Sequence, residues 1–85
     1  MTKTKIAFFY FMKSEIENLK NIIEEHVNYW HNANLVEYKG GPFSDRSGGL
    51  ILFSIGSMEE ALDIINNDPF ITKNCLEKKW IKEWM

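Results

Sequence analysis

Two segments of the chain are apolar on both faces, and they limit its possible folds more than any other feature. The first runs from Ile6 to Phe11 and the second from Leu50 to Ile55. Aromatic and β-branched runs of this length, bounded by lysine or glycine, predict strands. Because successive side chains of a strand point to opposite faces of its sheet, both faces of these strands need cover.

Two serine–glutamate pairs predict where helices begin. Ser14 with Glu17 and Ser57 with Glu60 have the spacing of a capping box, which satisfies backbone N–H groups at a helix start. The first predicted helix runs to about residue 32, and its buried stripe is predicted to be Ile16, Leu19, Ile23, Val27 and Trp30. The second ends near residues 66–67, and the stripe predicted for it is Met58, Ala61, Leu62 and Ile65.

The remaining segments decide the topology. Residues 35–39 alternate as a strand does, and the glycines and proline of residues 40–42 are predicted to end it and open a loop to Gly49. The segment from Cys75 to Met85 fits either a strand or a helix. If it is a strand, the order is βαββαβ, a ferredoxin-like α+β fold with two helices on one face of an antiparallel sheet.

That arrangement leaves the second face of a strongly apolar sheet bare. Hydrophobic residues make up 45% of the chain and aromatic residues 14%. A chain of 85 residues buries only roughly 60 to 65% of the surface that it exposes when unfolded. A bare apolar face of this kind is larger than soluble monomers usually expose. We therefore predict one domain over residues 1–85 that forms a homodimer through the open sheet face.

The charge and cysteine content narrow the partners and the location. A net charge of −2, with lysines scattered among acids, gives no basic field for nucleic acid. No stretch approaches the length of a membrane span, and the short apolar run after the basic start does not fit a signal peptide. One cysteine, Cys75, cannot form an internal disulfide, which favours the cytoplasm.

Several short signatures occur in an order typical of one family. They are His26 with Tyr29, Gly41-Pro42, Gly49, Ser57 with Glu60 and Ala61, Asp68-Pro69-Phe70, and the segment Trp80 to Trp84. In this order they resemble the YCII-related (YciI-like) domain family. Where many relatives have a glycine after the Asp-Pro pair, this chain has Asn74, a residue that tolerates the left-handed conformation.

The resemblance implies a dimeric α/β barrel and a catalytic site centred on His26 and Asp68. An imidazole titrating near neutral pH suits general acid–base chemistry, although a histidine on the apolar stripe also fits a core role. Asp68 before Pro69 also fits a helix cap. Helical rise along two antiparallel helices predicts an offset on the order of 10 Å between the two residues, so a direct hydrogen bond is not required by the sequence.

Three further residues, Arg46, His31 and Cys75, are candidates for a role in binding or catalysis. Arg46, the only arginine, lies in a loop and is a candidate to bind a substrate carboxylate or phosphate, or else is a solvated residue paired with Asp45. His31 lies about 140° round the helix from His26, so no metal site is predicted. Cys75 is expected to be a small buried residue. No cofactor is predicted.

Two functions of different classes follow from these residues. The first is a cofactor-independent homodimeric enzyme, of lyase, isomerase or hydrolase type, that acts on a small molecule with His26 as acid and base. The second is a non-catalytic dimeric module that binds a small ligand or a protein. Oxygen-using monooxygenases on the same architecture are a third, for which the sequence contains no distinguishing motif.

Overall fold

A computed structural model describes residues 3–85 and contains four strands and three helices within them. In chain order the elements are β1 (Thr4–Met12), α1 (Leu19–Asn32), β2 (Val36–Pro42), β3 (Gly48–Ile55), α2 (Met58–Asn66), α3 (Pro69–Thr72) and β4 (Leu76–Trp84). The C-terminal segment, for which the sequence left two alternatives, is a strand. The βαββαβ order is therefore confirmed, with the single-turn helix α3 as an addition.

The strands form one antiparallel sheet in the order β2-β3-β1-β4. The two doubly apolar segments are its central strands, as their composition requires. Phe8 of β1 lies opposite Ile51 of β3 on one side and Ile81 of β4 on the other. The helices cover one face, so the predicted α+β ferredoxin-like fold is correct.

The core lies between that face and the helices. Trp30 of α1 is 1% exposed, and its ring packs against Phe8 and Phe53 at centroid distances of 6.3 and 5.6 Å. Ala61 and Ile65 of α2 are fully buried in the same cluster. A buried aromatic side chain of this size contributes roughly 1.5 to 3 kcal/mol by leaving water. The core thus joins both long helices to the central strands.

Helix α1 differs from the prediction in its start and in its buried face. It begins at Leu19 and not at Ser14, because Asn18 is in the left-handed conformation with φ of 57° and breaks the helix before it. Its buried residues are Ile22, His26 and Trp30, spaced by four. Ile23 and Val27, predicted to be buried, are 42% and 43% exposed. The predicted stripe is therefore confirmed at Trp30 and wrong at Ile23 and Val27, in whose place Ile22 and His26 are buried.

The connection between β2 and β3 is also shorter than predicted. The glycines and proline of residues 40–42 belong to β2, and they pair with residues 49–51 of β3. The turn is closed by hydrogen bonds from Phe43 N–H to the carbonyl of Gly48 and from Arg46 N–H to the carbonyl of Phe43, at 2.8 and 2.9 Å. Arg46 has a φ of 63°, so it occupies the left-handed position of this turn.

The second helix begins as predicted. Ser57 Oγ accepts a hydrogen bond from Glu60 N–H at 3.2 Å. Asn74, which stands where the family resemblance leads one to expect glycine, is in the left-handed conformation with φ of 56°. Asparagine tolerates this conformation better than most residues. Cys75 is 1% exposed and is confirmed as a small buried residue.

Within residues 3–85, the helices are too short or too polar to cross a bilayer.

The face of the sheet away from the helices, here called the open sheet face, carries an apolar centre and charged edges. Its central strands contribute Ala7, Phe9, Phe11, Leu50 and Leu52. On the edge strand β4, Trp80 is 51% and Trp84 46% exposed. Lys78 of β4 lies over the rings of Phe11 and Trp80 at 5.5 and 5.3 Å from their centroids.

Candidate active site

His26 and Asp68 are in direct contact. His26 Nδ1 lies 2.8 Å from Asp68 Oδ1, and the Asp68 side chain is completely buried. The predicted offset of about 10 Å was wrong because Asp68 does not belong to the second long helix. It lies in the turn after α2, where it precedes α3 and faces the C-terminal half of α1. The fold brings together two residues that are 42 positions apart.

The Asp68 carboxylate accepts three hydrogen bonds. Besides His26, Trp30 Nε1–H donates to Oδ2 at 2.9 Å and Phe70 N–H donates to Oδ1 at 2.8 Å. The hydrogen bond from Phe70 N–H caps α3, so the Asp68 side chain both caps this helix and belongs to the candidate site. A carboxylate that accepts from every partner leaves His26 Nδ1 as a donor. The proton of a neutral imidazole is therefore held on Nδ1, and the lone pair is on Nε2.

Nε2 of His26 faces accessible space. Within residues 3–85 its ring makes no hydrogen bond other than the one to Asp68, and no fully buried side-chain nitrogen or oxygen there lacks a partner. The His26 side chain is 9% exposed, so this exposure is confined to a small part of the ring. Phe70 stacks on the imidazole at a centroid distance of 3.8 Å and an interplanar angle of 8°. The ring is thus fixed in orientation and open at one atom.

That atom borders a cavity of about 980 Å³, here called the cleft. One wall is the outer side of α1, with Leu19, Ile23 and Val27. The other wall is the end of β2 and the turn to β3, from Gly40 to Gly48. The exposure of Ile23 and Val27 therefore has a structural reason, since both side chains line the cleft. Its size is at the upper end of the usual range for small-molecule sites, roughly 300 to 1,000 Å³.

Two tyrosines contribute hydroxyl groups to the cleft. Tyr10, 5% exposed, packs edge-on against His26 at 5.5 Å, and Tyr38 lines the opposite wall. The Tyr10 hydroxyl lies over Gly49, where an added Cβ would come within 2.3 Å of it. No hydrogen bond to either hydroxyl occurs within residues 3–85. Glycine at position 49 therefore leaves the space that the Tyr10 hydroxyl occupies.

Burial raises the pKa of both hydroxyls above the ordinary value of 10.0, at which a phenol is already protonated at neutral pH. Desolvation, with the negative charge of Asp68 as the second cause, raises the pKa of Tyr10 from 10.0 to about 12. The same two causes raise the pKa of Tyr38. Both phenols are neutral donors at physiological pH. Each can donate a hydrogen bond to an oxygen atom of a ligand in the cleft.

We expect the protein to lose stability between pH 10 and about 12. The unfolded chain releases the Tyr10 proton near pH 10 whereas the folded chain holds it to about 12, so alkaline pH favours unfolding in this interval. This contribution to stability is complete below pH 10 and gone above 12. Urea denaturation at several pH values measures the loss, which Tyr10→Phe should make less steep. An equally steep loss in Tyr10→Phe would assign it to other groups.

Arg46 lies at the rim of the cleft together with Lys13. A backbone hydrogen bond from Met12 N–H to the carbonyl of Ser47, 2.8 Å long, joins the two segments that carry them. Neither cation belongs to the two ion pairs that occur within residues 3–85. Asp45, weighed as the partner of Arg46, instead accepts hydrogen bonds from the backbone and hydroxyl of Ser47 at 2.9 and 2.7 Å.

The other candidate residues have separate positions. His31 lies near the cleft at the end of α1, with its ring 6.4 Å from that of Tyr38. Tyr29 is turned away from the cleft and donates its hydroxyl to the carbonyl of Ile64 at 2.6 Å. Across the described residues, no group of three or more metal-ligating side chains occurs.

Sequence reasoning missed four residues of this site. Trp30 was assigned to the core alone, Tyr10 and Tyr38 were not placed at the site, and Lys13 was not considered. One signal was available for Trp30, since it follows His26 by four residues and shares its helix face. Tyr10 and Tyr38 depend on sheet register, and Lys13 depends on the Met12–Ser47 contact, for which the sequence contains no comparable signal.

Comparisons with known proteins place the chain in a family and identify related folds. The sequence model of the YCII-related domain matches residues 6–85. The uncharacterized protein YjpA of Bacillus subtilis (strain 168) is 43% identical over 44 residues, which is 52% of this chain. The match spans about half, 51%, of the length of YjpA.

Two solved structures share the fold at low sequence identity. A complex of 5-chloro-2-hydroxyhydroquinone dehydrochlorinase (TftG) from Burkholderia phenoliruptrix AC1100 with 2,5-dihydroxybenzoquinone superposes with a TM-score of 0.75 and 17% identity, covering 95% of this chain and 93% of that one. The hydroxynitrile lyase of Passiflora edulis superposes with a TM-score of 0.56 and 15% identity, covering 96% and 91%. These similarities concern the fold.

Proposed function

Since the chain belongs to the YCII-related domain family, we propose that it is a cofactor-independent enzyme acting on a small molecule in the cleft. His26 is the general acid and base, and Asp68 orients it. The observation that carries this proposal is the contact between a fully buried carboxylate and His26 Nδ1, which leaves Nε2 facing the cleft. Arg46 is the proposed substrate-binding residue at the rim.

The arrangement suits removal of a proton from a bound substrate. Asp68 holds the imidazole in one tautomer and stabilises the imidazolium that forms when Nε2 takes up a proton. Phe70 stacks on the ring and limits its rotation. A positioned base of this kind contributes roughly a hundredfold to ten-thousandfold to a proton-transfer step. Lyase, isomerase and hydrolase reactions all include such a step.

Elimination is the reaction type that we favour. The two structural neighbours are by name a dehydrochlorinase and a hydroxynitrile lyase, and both names describe the loss of a small leaving group. In such a reaction His26 Nε2 takes a proton from the substrate, and the electron pair left behind becomes a new double bond. The leaving group departs with its bonding pair as an anion such as chloride or cyanide. A single titrating group suffices for this sequence of events.

We further propose that the enzyme works as a homodimer in the cytoplasm. The open sheet face has an apolar centre on β1 and β3, while lysines such as Lys39 and Lys78 lie on the edge strands. An apolar centre with a charged rim is the usual organisation of a protein interface. A second copy of the chain would cover this centre in the way the helices cover the other face.

The expected result of replacing His26 by Gln is a loss of turnover of roughly a hundredfold or more, with the fold retained. Glutamine can still donate a hydrogen bond to Asp68 but cannot take up a proton at neutral pH. The assays are chloride release from 5-chloro-2-hydroxyhydroquinone and cyanide release from mandelonitrile. Circular dichroism and a thermal melt check the fold of the variant.

The matched control is Glu25→Gln. Glu25 is the neighbour of His26 in the chain, but it is exposed and pairs with Lys73 at 3.1 Å. Its replacement should leave turnover unchanged. Equal turnover by wild type and His26→Gln would reject His26 as the acid and base. No turnover by either protein would favour the non-catalytic module, in which His26 contributes only about 1 kcal/mol of stability through its hydrogen bond. Release of neither chloride nor cyanide by the wild type would reject elimination of these groups.

A further inference from the structure

The charge of the cleft is opposite to that of the chain. The chain contains 12 acidic residues and has a net charge of −2. Among residues 3–85, the side chains that line the cleft include Lys13, Arg46 and two histidines but no aspartate or glutamate. Lys13 and Arg46 therefore give their end of the cleft a positive potential, while the negative charge of Asp68 acts on Tyr10 and Tyr38. Concave sites with low-dielectric walls concentrate such a field.

The two cations are held at the same end of the cleft. They flank the backbone contact between Met12 and Ser47, and both are free of ion pairs within the described residues. Lys13 is three residues beyond Tyr10, which contacts His26, so its backbone lies about 10 Å further along the strand direction. The one buried acid near the cleft, Asp68, lies behind His26 at the other end.

The middle of the cleft is apolar and partly aromatic. Ile23 and Val27 form one wall, and Phe43 forms part of the other. At the His26 end, Phe70 presents a ring parallel to the imidazole. Apolar walls of this kind favour a ligand with a hydrocarbon body, because such a body leaves water when it binds.

An unpartnered donor marks the end of the cleft near His26. Tyr10 is 5% exposed and lines the cleft, and its hydroxyl has no hydrogen-bond partner within residues 3–85. Since no fully buried side-chain oxygen of residues 3–85 lacks a partner, this hydroxyl is open to the cleft and can take a partner there. An oxygen atom of a ligand next to His26 would supply it. The cleft therefore has a cationic end, an apolar middle and a donor beside the base.

We propose that the substrate is a small organic carboxylate whose anionic group binds Lys13 and Arg46 and whose hydrocarbon body lies between α1 and the β2–β3 turn. This inference rests on the proposed function, because a ligand of the cleft is a substrate only if the protein is an enzyme. The binding itself follows from the distribution of charge and apolar surface. Arginine and lysine at one rim bind a carboxylate by charge-assisted hydrogen bonds, and the apolar middle rejects ions that lack a hydrocarbon body.

The test compares benzoate with benzamide, its neutral analogue of the same shape, by calorimetric titration at pH 7 and low ionic strength. Benzoate should bind about tenfold more tightly than benzamide or better. Arg46→Gln and Lys13→Gln should each weaken benzoate about fivefold to tenfold and leave benzamide unchanged. Inorganic phosphate, which has charge without a ring, should bind more weakly than benzoate.

The control for lost positive charge is Lys20→Gln, which is exposed on α1 outside the cleft. It should bind benzoate as the wild type does. The inference is overturned if benzamide binds as well as benzoate, if phosphate binds as well as benzoate, or if Lys20→Gln weakens binding as much as Arg46→Gln. Thermal melts of all three variants confirm that each is folded during the titration.

This titration needs no turnover, so its outcome is independent of the proposed reaction. Failure of benzoate to bind overturns the substrate class and leaves the role of His26 to the chloride and cyanide assays. Benzoate binding that persists in His26→Gln, together with unchanged turnover in that variant, rejects the reaction and keeps the site.

Discussion

Replacing Asp68 by Ala is expected to lower the free energy of unfolding by about 3 to 5 kcal/mol, because three buried donors lose their acceptor at about 1 to 3 kcal/mol each. The carboxylate is completely buried and accepts hydrogen bonds from His26, Trp30 and Phe70. Alanine leaves three donors without a partner in the core and removes the cap of α3. A loss of this size is a large part of the 5 to 15 kcal/mol that typical domains have. Urea denaturation measures it.

Two further variants separate the hydrogen bonds from the charge and from the general effect of losing an aspartate. Asp68→Asn keeps one acceptor oxygen but presents its amide to a donor, so its loss should lie below that of Asp68→Ala. Asp63→Ala removes an exposed carboxylate one turn earlier in α2, and its effect should stay within about 0.5 kcal/mol. If Asp68→Ala costs no more than Asp63→Ala, the network around Asp68 contributes little to the fold.

The same network explains which part of the site the sequence could predict. His26 and Asp68 were identified through the family resemblance, but their direct contact was not, because helical rise was counted as if Asp68 lay on α2. The extra turn α3 changes that geometry. The sequence did contain a signal for α3, since Asp68 before Pro69 is a helix-cap pattern. A helix of four residues nevertheless has too little periodicity to predict where Asp68 lies relative to α1.

Short sequence patterns predicted the fold correctly where a single local interaction determines the structure of an element. The capping box at Ser57 formed as expected, and the central strands followed from their apolar faces. The box at Ser14 did not form, because a left-handed Asn18 starts the helix one turn later. The buried face of α1 could not be read from hydrophobicity alone, since Ile23 and Val27 line the cleft and the polar His26 is buried by its bond to Asp68.

The second large effect is expected at the open sheet face. We expect the wild type to be a dimer at micromolar concentration and Phe9→Glu to raise the dimer dissociation constant about a hundredfold or more, which corresponds to about 2.8 kcal/mol. Phe9 lies on the central strand β1 between Leu50 and Trp80, with its side chain on the face away from the helices. In a dimer a glutamate there would be buried without a partner. Sedimentation equilibrium measures the constant.

The monomer should tolerate the same change, because Phe9 is only half-buried and the glutamate can reach water when no second copy is present. A folded monomeric Phe9→Glu protein would therefore show that the open sheet face holds the dimer together. Leu62→Glu is the control, since Leu62 is 38% exposed on α2, on the opposite side of the sheet. It should dimerise as the wild type does. A monomeric wild type, or a Phe9→Glu variant that dimerises normally, would contradict sheet-to-sheet pairing, and the apolar centre of this face would then need another explanation.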